Sequence, residues 1–472
     1  MSLEAPSVSL SPLYLSSRRR TASRVRGDPR DRLLERSRSR LGGIRSLKRP
    51  EMAWLACVFA VSFWVNSASA AALGNSDAMA AAWSAHNVFA LDRLLSADQG
   101  DHGDRIFYRG ASDIMLGRSA VGRTELRTML SRHAEDRKMA EQALRLLADD
   151  AARRDDYNAY ADNLTLILDH YDDLLTLAEL DDIAQSRALA SELRSAPAQA
   201  VVRGGPVRLA THRDAAGLRH LPARIGSEIA DPVFDTGANF SVASTSFAQA
   251  HRIRLLRGPP VTVDSAAGGK VAARLGLGRV QVGETTINNV VFLVMKDEDL
   301  RIPQLSLDIP AILGFPVLRA LGHLRLDATG SIEVGLKPMT MGRRDLAFDE
   351  LTPLVRVTYA GSDVPFVLDT GAKLTTLAKR FEARFPAAFV GAQDRAVRRA
   401  GAGGMQTGTT RIVPAIAFAI AGAPIKLRDV AMGAESGGDA TAYGRIGGDA
   451  LFAQGVLDLD FRTQRVCLDN SC

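Results

Sequence analysis

The sequence predicts an α+β multidomain protein: an N-terminal all-α helical region followed by a two-lobed all-β unit, a double barrel. Three observations carry this. Apolar residues recur at helical spacing through residues 75–195. After residue 205 they fall into short runs punctuated by glycine. One long pattern then occurs twice in that second part. At 472 residues the chain exceeds what one compact core holds, so two or three domains are expected. A hydrophobic content of 46% with 24% charged residues is that of an ordinary soluble globular protein.

Residues 1–46 are rich in Arg and Ser, lack an apolar period and read as a disordered leader. A basic tail of this kind suits a nucleic acid or a membrane surface; the alternative is that it is untranslated and the chain starts near Leu47. Residues 47–70 read as a signal peptide. Leu47-Lys48-Arg49-Pro50-Glu51 is a charged start, Met52 to Val65 is apolar, and Ala68-Ser69-Ala70 is a small-residue cleavage site. Cleavage before Ala71 predicts an exported protein, periplasmic or secreted, with no stable membrane span. An uncleaved N-terminal anchor is the alternative, although the apolar run is short for a span of ~20 residues. The overall charge of +6 comes from the leader. Residues 1–50 hold 13 basic and 4 acidic side chains, whereas residues 71–472 hold 46 and 48. Beyond the leader nothing attracts nucleic acid.

Cys57 lies in the apolar run and leaves with the signal. Cys467 and Cys472 remain, close together, and an oxidising compartment lets them close a small disulfide loop; two unpaired thiols are the alternative. No second Cys/His cluster accompanies them, so no metal site is expected.

Residues 71–198 form the expected helical domain. Met139, Ala143, Leu146, Leu147 and Ala151 keep helical spacing. So do Leu164, Ile167, Leu168, Tyr171, Leu174, Leu175 and Ala178. Five to seven short helices are predicted, with a tetratricopeptide-like array as one form, although no period is evident. Trp83, Phe89, Phe107, Tyr108, Tyr157 and Tyr160 are expected in its core. Residues 196–206 read as a linker and residues 339–351 as the connection between two lobes, 205–340 and 345–472. Val280–Val282, Asn289–Val294, Ile412–Phe418 and Val430–Met432 read as strands.

The repeated pattern can be counted. Asp235-Thr236-Gly237-Ala238 and Asp369-Thr370-Gly371-Ala372 each follow a short apolar run. Gly314 of Ile312-Leu313-Gly314 stands 79 residues after Asp235, and Gly447 of Arg445-Ile446-Gly447 stands 78 after Asp369. Leu318, Gly322 and Asp327 then follow Gly314 at the offsets at which Leu451, Gly455 and Asp460 follow Gly447. A hydroxyl, Ser241 or Thr375, comes six residues after each Asp. Midway through each copy lies a glycine-rich stretch, with Gly268 and Gly269 in one and Gly403 and Gly404 in the other. A lone Asp-Thr-Gly marks a turn; two in matched copies mark a duplication.

These residues resemble the aspartic proteases, whose active-site loop is Asp-Thr-Gly and whose partner strand ends in two apolar residues and Gly. The resemblance covers residues 205–472. Ala238 and Ala372 are similar to the retropepsin branch, since pepsins carry Ser or Thr there. Pepsins also carry a flap tyrosine, and no Tyr lies between Tyr171 and Tyr359. The arrangement is similar to bacterial-type single chains with two retropepsin-like lobes, an acid-protease-like double barrel. One residue departs from the pattern: Arg445 stands where an apolar residue belongs.

The resemblance implies a catalytic dyad, Asp235 and Asp369. Two carboxylates ~3 Å apart cannot both ionise and share one proton. Thr236 and Thr370 would bond across to the opposite lobe, and Gly237 and Gly371 would let the loops approach. Gly268, Gly269, Gly403 and Gly404 would be flaps over a bound peptide. Ala238 and Ala372 remove a hydroxyl that would otherwise steady the carboxylates, so a less extreme acid optimum is expected. The implied activity is hydrolysis of peptide bonds by a monomeric catalytic unit without cofactor, on a peptide or protein substrate. The helical domain would bind a partner or act as a pro-segment. The alternative is a non-catalytic peptide-binding or scaffold protein that uses the helical array. Neither a G-x-S-x-G elbow, an H-E-x-x-H helix nor a phosphate loop occurs.

Overall fold

The computed structural model describes residues 7–8, 75–97, 104–133, 135–264, 270–401, 404–433, 441–452 and 455–469. The signal-peptide reading of residues 47–70, the flap residues Gly268, Gly269 and Gly403, and Cys472 lie outside them. Within the leader, Ser7–Val8 pairs in parallel with Arg399–Ala400.

The N-terminal part is helical. Helix α1 spans 75–84. It is followed by α2 (Val88–Ala97), α3 (Arg105–Met115), α4 (Ser119–Arg132), α5 (Arg137–Arg153), α6 (Tyr157–His170) and α7 (Leu177–Leu193). Side-chain caps start four of them, and Asn87 opens α2 by accepting from the Ala90 N–H at 3.0 Å. Asp136 accepts from the Met139 N–H, Asp156 from the Ala159 N–H, and Thr176 forms a reciprocal capping box with Glu179. That box corrects one expectation. Helical spacing runs from Leu164 through Ala178, but α6 stops at His170. A 3₁₀ turn at Asp172–Leu174 follows, and Thr176 starts α7. Leu174 is exposed as a result.

After α7 the chain is all strand with short helices. Strands between Ala200 and Leu313 build one curled twelve-stranded sheet, and strands between Leu346 and Ile446 build most of a nine-stranded one. Each is dominated by a long hairpin. Lys270–Val282 pairs with Thr285–Met295, and Gly404–Ile420 pairs with Ala423–Met432. These strands extend well beyond the runs visible in the sequence. A five-stranded sheet joins the two lobes: Arg465–Leu468, Val456–Asp460, His323–Asp327, Ser331–Val334 and Val207–Ala210, in that order. Both expected connections contain strands. Ala200–Val202 pairs with Thr286–Asn288, and Leu346–Asp349 pairs with Thr352–Val355.

One apolar core runs through both lobes, with Phe315 packed against Phe348 and Phe461. Fully burying each such ring is worth about 1.5–3 kcal/mol. Two further cores are shared with the helices. Residues of α5, α6 and α7 pack with the first lobe, and residues of α1 to α5 with the second. Phe89, Phe107, Tyr108, Tyr157 and Tyr160 are buried there, and Trp83 is half-buried. No described helix is long and apolar enough to cross a membrane.

Candidate active site

Both Asp-Thr-Gly loops end strands held in the same way. Val233 and Phe234 pair in parallel with Ile312 and Leu313, and Val367 and Leu368 pair with Arg445 and Ile446. The next N–H continues each ladder: Asp235 donates to the Leu313 carbonyl and Asp369 to the Ile446 carbonyl, both at 3.1 Å. The hydroxyls six residues on fix the partner strands. Ser241 Oγ accepts from the Gly314 N–H at 3.2 Å, and Thr375 Oγ1 from the Gly447 N–H at 3.1 Å.

The loops meet through their threonines. The Thr236 N–H donates to Thr370 Oγ1 at 3.0 Å, and the Thr370 N–H to Thr236 Oγ1 at 2.9 Å. Each hydroxyl then donates to the carbonyl at the end of the opposite strand: Thr236 to Leu368 at 2.7 Å and Thr370 to Phe234 at 3.3 Å. The network is buried and reciprocal. Gly237 and Gly371 are needed for this approach. A Cβ on Gly237 would lie 2.8 Å from the Asp369 carboxyl carbon, and one on Gly371 would lie 2.3 Å from that of Asp235. Asp235 and Asp369 therefore face each other.

Backbone donors hold the carboxylates. Gly237 N–H reaches Asp235 Oδ1 at 2.7 Å, and Ala372 N–H reaches Asp369 Oδ1 at 2.8 Å. Burial, then the charge of Asp369, raises the Asp235 carboxyl well above the usual carboxylate range; the Gly237 N–H and Arg445 pull the other way. Ala238 and Ala372 are buried and bring no hydroxyl. On the second lobe, however, the expected loss of a donor is made good. The buried Arg445 guanidinium donates to Asp369 Oδ2. In the sequence Arg445 is a departure from the apolar pattern, and nothing there indicates its role. Its signal was a charge at a position paired inside an apolar ladder.

The dyad is covered. Asp235 is 1% exposed and Asp369 0%. Strand alternation puts Val233 on the side of Asp235 and Val367 on the side of Asp369. Val233, Ala238 and Phe240 share one core with Ala148, Tyr157 and Ile183 of the helices, and Val367 shares another with Phe89, Phe107 and Ile114. Helix α7 also packs on Val261–Asp264, the outer strand of the first glycine-rich hairpin. Lys270 on that hairpin bonds Asp181 of α7 at 2.8 Å. Gly404 closes the second hairpin, opposite Gly401, with φ of +114°. Cys467 is disulfide-bonded.

Among the described residues, one group could hold a metal ion: His212, His220 and Asp231. Protein groups already occupy His220. Its Nδ1 lies 2.8 Å from the Asp231 carbonyl and its Nε2 3.3 Å from Asp214 Oδ2. Burial opposes its charge, but these partners outweigh it and hold the ring above the ordinary histidine value. The group has no part in the dyad.

Two buried carboxyls thus stand face to face on crossed Asp-Thr-Gly loops. Residues 221–317 match the model of a family described as aspartyl protease. The match holds Asp235 and Ile312-Leu313-Gly314 and ends before the second loop. No curated protein matches the chain.

Proposed function

We propose that the chain is an exported aspartic endopeptidase in which Asp235 and Asp369, on two duplicated lobes, activate a water to cleave peptide bonds. The observation that carries this is the reciprocal threonine network, which aligns two carboxyls that cannot ionise together. One carboxylate takes a proton as the water oxygen bonds to the peptide carbon, and the protonated partner gives its proton to the carbonyl oxygen. A neutral gem-diol results. The first group then returns its proton to the amide nitrogen, the C–N bond breaks, and a diol hydroxyl reprotonates the second group. The dyad ends as it began.

Both loops belong to one chain, which supports a monomeric catalytic unit. The packed helices support a latent resting form that must open to admit a peptide, so the helical domain acts as a cover and not as a separate scaffold. Export rests on residues 47–70 and predicts a mature N-terminus at Ala71. The deciding experiment is digestion of a peptide library by full-length protein, by Asp235→Asn and by Asp369→Asn, each checked for folding. Cleavage by the unaltered protein and its loss in both variants is the expected result. Folded variants that still cleave overturn the two-aspartate reading. Peptide binding without cleavage by the unaltered protein supports the non-catalytic alternative.

A further inference from the structure

The two lobes present the same backbone to the dyad but not the same charge. Ile312 pairs with Val233, and Arg445 pairs with Val367, at equivalent register. Ile312 packs in the apolar core shared with the helices. Arg445 is 2% exposed and points its guanidinium at Asp369 Oδ2. Both oxygens of Asp369 thus receive donors, one from the Ala372 N–H and one from a cation. Asp235 receives the Gly237 N–H on Oδ1. A guanidinium buried against a carboxyl favours the ionised form, and a buried carboxyl facing that anion keeps a proton.

We propose that Arg445 is a charge-setting, positioning residue of the dyad: it makes Asp369 the carboxylate that accepts the proton of water and leaves the shared proton on Asp235. The proposal rests on the aspartic peptidase reading above and adds to it an assignment that the near-symmetry of the loops does not supply. The upward displacement of the Asp235 carboxyl accords with it. The charges that bear on Asp235 from the facing loop and the partner strand are Asp369 and Arg445. The packed helices bring Arg145, Asp149, Asp150, Arg153 and Asp182, and the turn before Thr352 brings Glu350. These charges act chiefly on one another.

The consequence has a definite sign. The active dyad carries one negative charge. A neighbouring cation favours every loss of a proton from the pair, so it sets both limbs of the pH–rate profile lower than they would otherwise lie. Removing the cation moves the whole bell to higher pH. Loss of packing alone lowers the bell and leaves its limbs in place.

The experiment compares the pH profile of kcat/KM for the full-length protein with those of Arg445→Ile, which copies the first lobe, and Arg445→Lys. The expected result is an upward shift of both limbs by about one pH unit or more for Arg445→Ile. That is a roughly tenfold or greater loss on the acid side, because one unit is a tenfold change in protonation. Arg445→Lys should recover part of the shift. Superimposable limbs after scaling overturn the proposal. If Arg445→Ile does not fold, Arg445→Gln and Arg445→Lys carry the comparison with the same two outcomes. A second readout separates this proposal from the peptidase reading. Carboxyl ¹³C shifts of labelled Asp235 and Asp369, assigned with the two Asp→Asn variants, report which carboxyl is ionised whether or not any peptide is cut. Asp369 ionised and Asp235 protonated at mildly acidic pH in the unaltered protein, with Asp369 protonated there in Arg445→Ile, sustains the charge-setting role even in a protein without turnover; an ionised Asp235 beside a protonated Asp369 overturns it. Identical titrations in the two proteins overturn it.

Discussion

Around the dyad the two lobes share a frame of main-chain bonds, threonine hydroxyls and glycines, yet their side-chain chemistry diverges. In the first lobe, Ser241 bonds Gly314 and Ile312 is one more apolar core residue. In the second, Thr375 also donates to Asp449 at 2.6 Å, and Arg445 reaches Asp369. The shared features are those without which the loops could not cross. Thr236 and Thr370 need each other, and Gly237 and Gly371 make room for the opposite carboxyl. Outside that frame each lobe was free to change. The shared frame therefore fixes where the carboxyls stand, while single side chains decide how alike they are.

Breaking the shared frame should have the largest effect. Asp235→Asn and Asp369→Asn should each lower turnover by about 10²–10⁴-fold or more, the usual worth of a positioned acid or base. Equal losses from the two lobes, measured in steady-state peptide cleavage, are the expected outcome; a variant near normal activity would show that only one lobe contributes.

Next is the transfer of the second lobe's charge to the first. Ile312→Arg puts a guanidinium into an apolar core shared with Ala148 and Ile183, beside a carboxyl that burial and the charge of Asp369 bias toward its neutral form. A loss of more than about 3 kcal/mol is expected, since an uncompensated buried charge is strongly destabilising. Chemical denaturation measures it. A small loss would mean that the two strands are interchangeable after all.

Thr236→Val and Thr370→Val test reciprocity. Each should cost about 1–3 kcal/mol by stranding buried donors and acceptors. The double variant should cost less than the sum, because both changes break one network. Strict additivity in melting experiments would contradict the crossed arrangement.

A smaller effect joins the lobes lower down. His323 Nε2 lies 2.8 Å from Asp458 Oδ1 across the five-stranded sheet. Burial opposes the charge of each, but their mutual bond prevails, raising His323 and lowering Asp458. The His contribution is complete below its unfolded value of about 6.5 and fades as pH rises through the raised folded value. The Asp contribution is complete above about 3.9 and fades as pH falls through its lowered value. His323→Gln should therefore lower Tm most between about pH 4 and 6.5 and progressively less at higher pH. A deficit that does not vary with pH would deny the ionic character of the tie.

Much of the dyad was legible because its chemistry is local. Asp, Thr and Gly in fixed order, repeated 134 residues apart with matching landmarks, leave few other readings. The helices were legible in number, but the break before Thr176 was hidden because Leu174, Leu175 and Ala178 kept a helical spacing that the capping box overrides. The strands of the linkers were hidden for another reason. Ala200–Val202 is short and its pairing partner lies some 86 residues away, so nothing nearby announces it; Leu346–Asp349 pairs with the strand just after it but is four residues long and buries three in a row, so it shows no alternation. Arg445 was visible as an exception, but its direction depends on a facing loop that only folding brings near. The packing of the helices on the two lobes was illegible, because an apolar helix face does not say which surface it will meet.

That packing makes the proposed enzyme's speed a matter of populations. If the helices cover the dyad as proposed, an observed rate is an intrinsic rate multiplied by the fraction of molecules that stand open. Each 1.4 kcal/mol holding the helices down divides that rate by about ten without altering a single catalytic atom. Whatever loosens α7 from its hairpin would act as the throttle, and the Lys270–Asp181 pair, exposed to salt, is the outermost stitch.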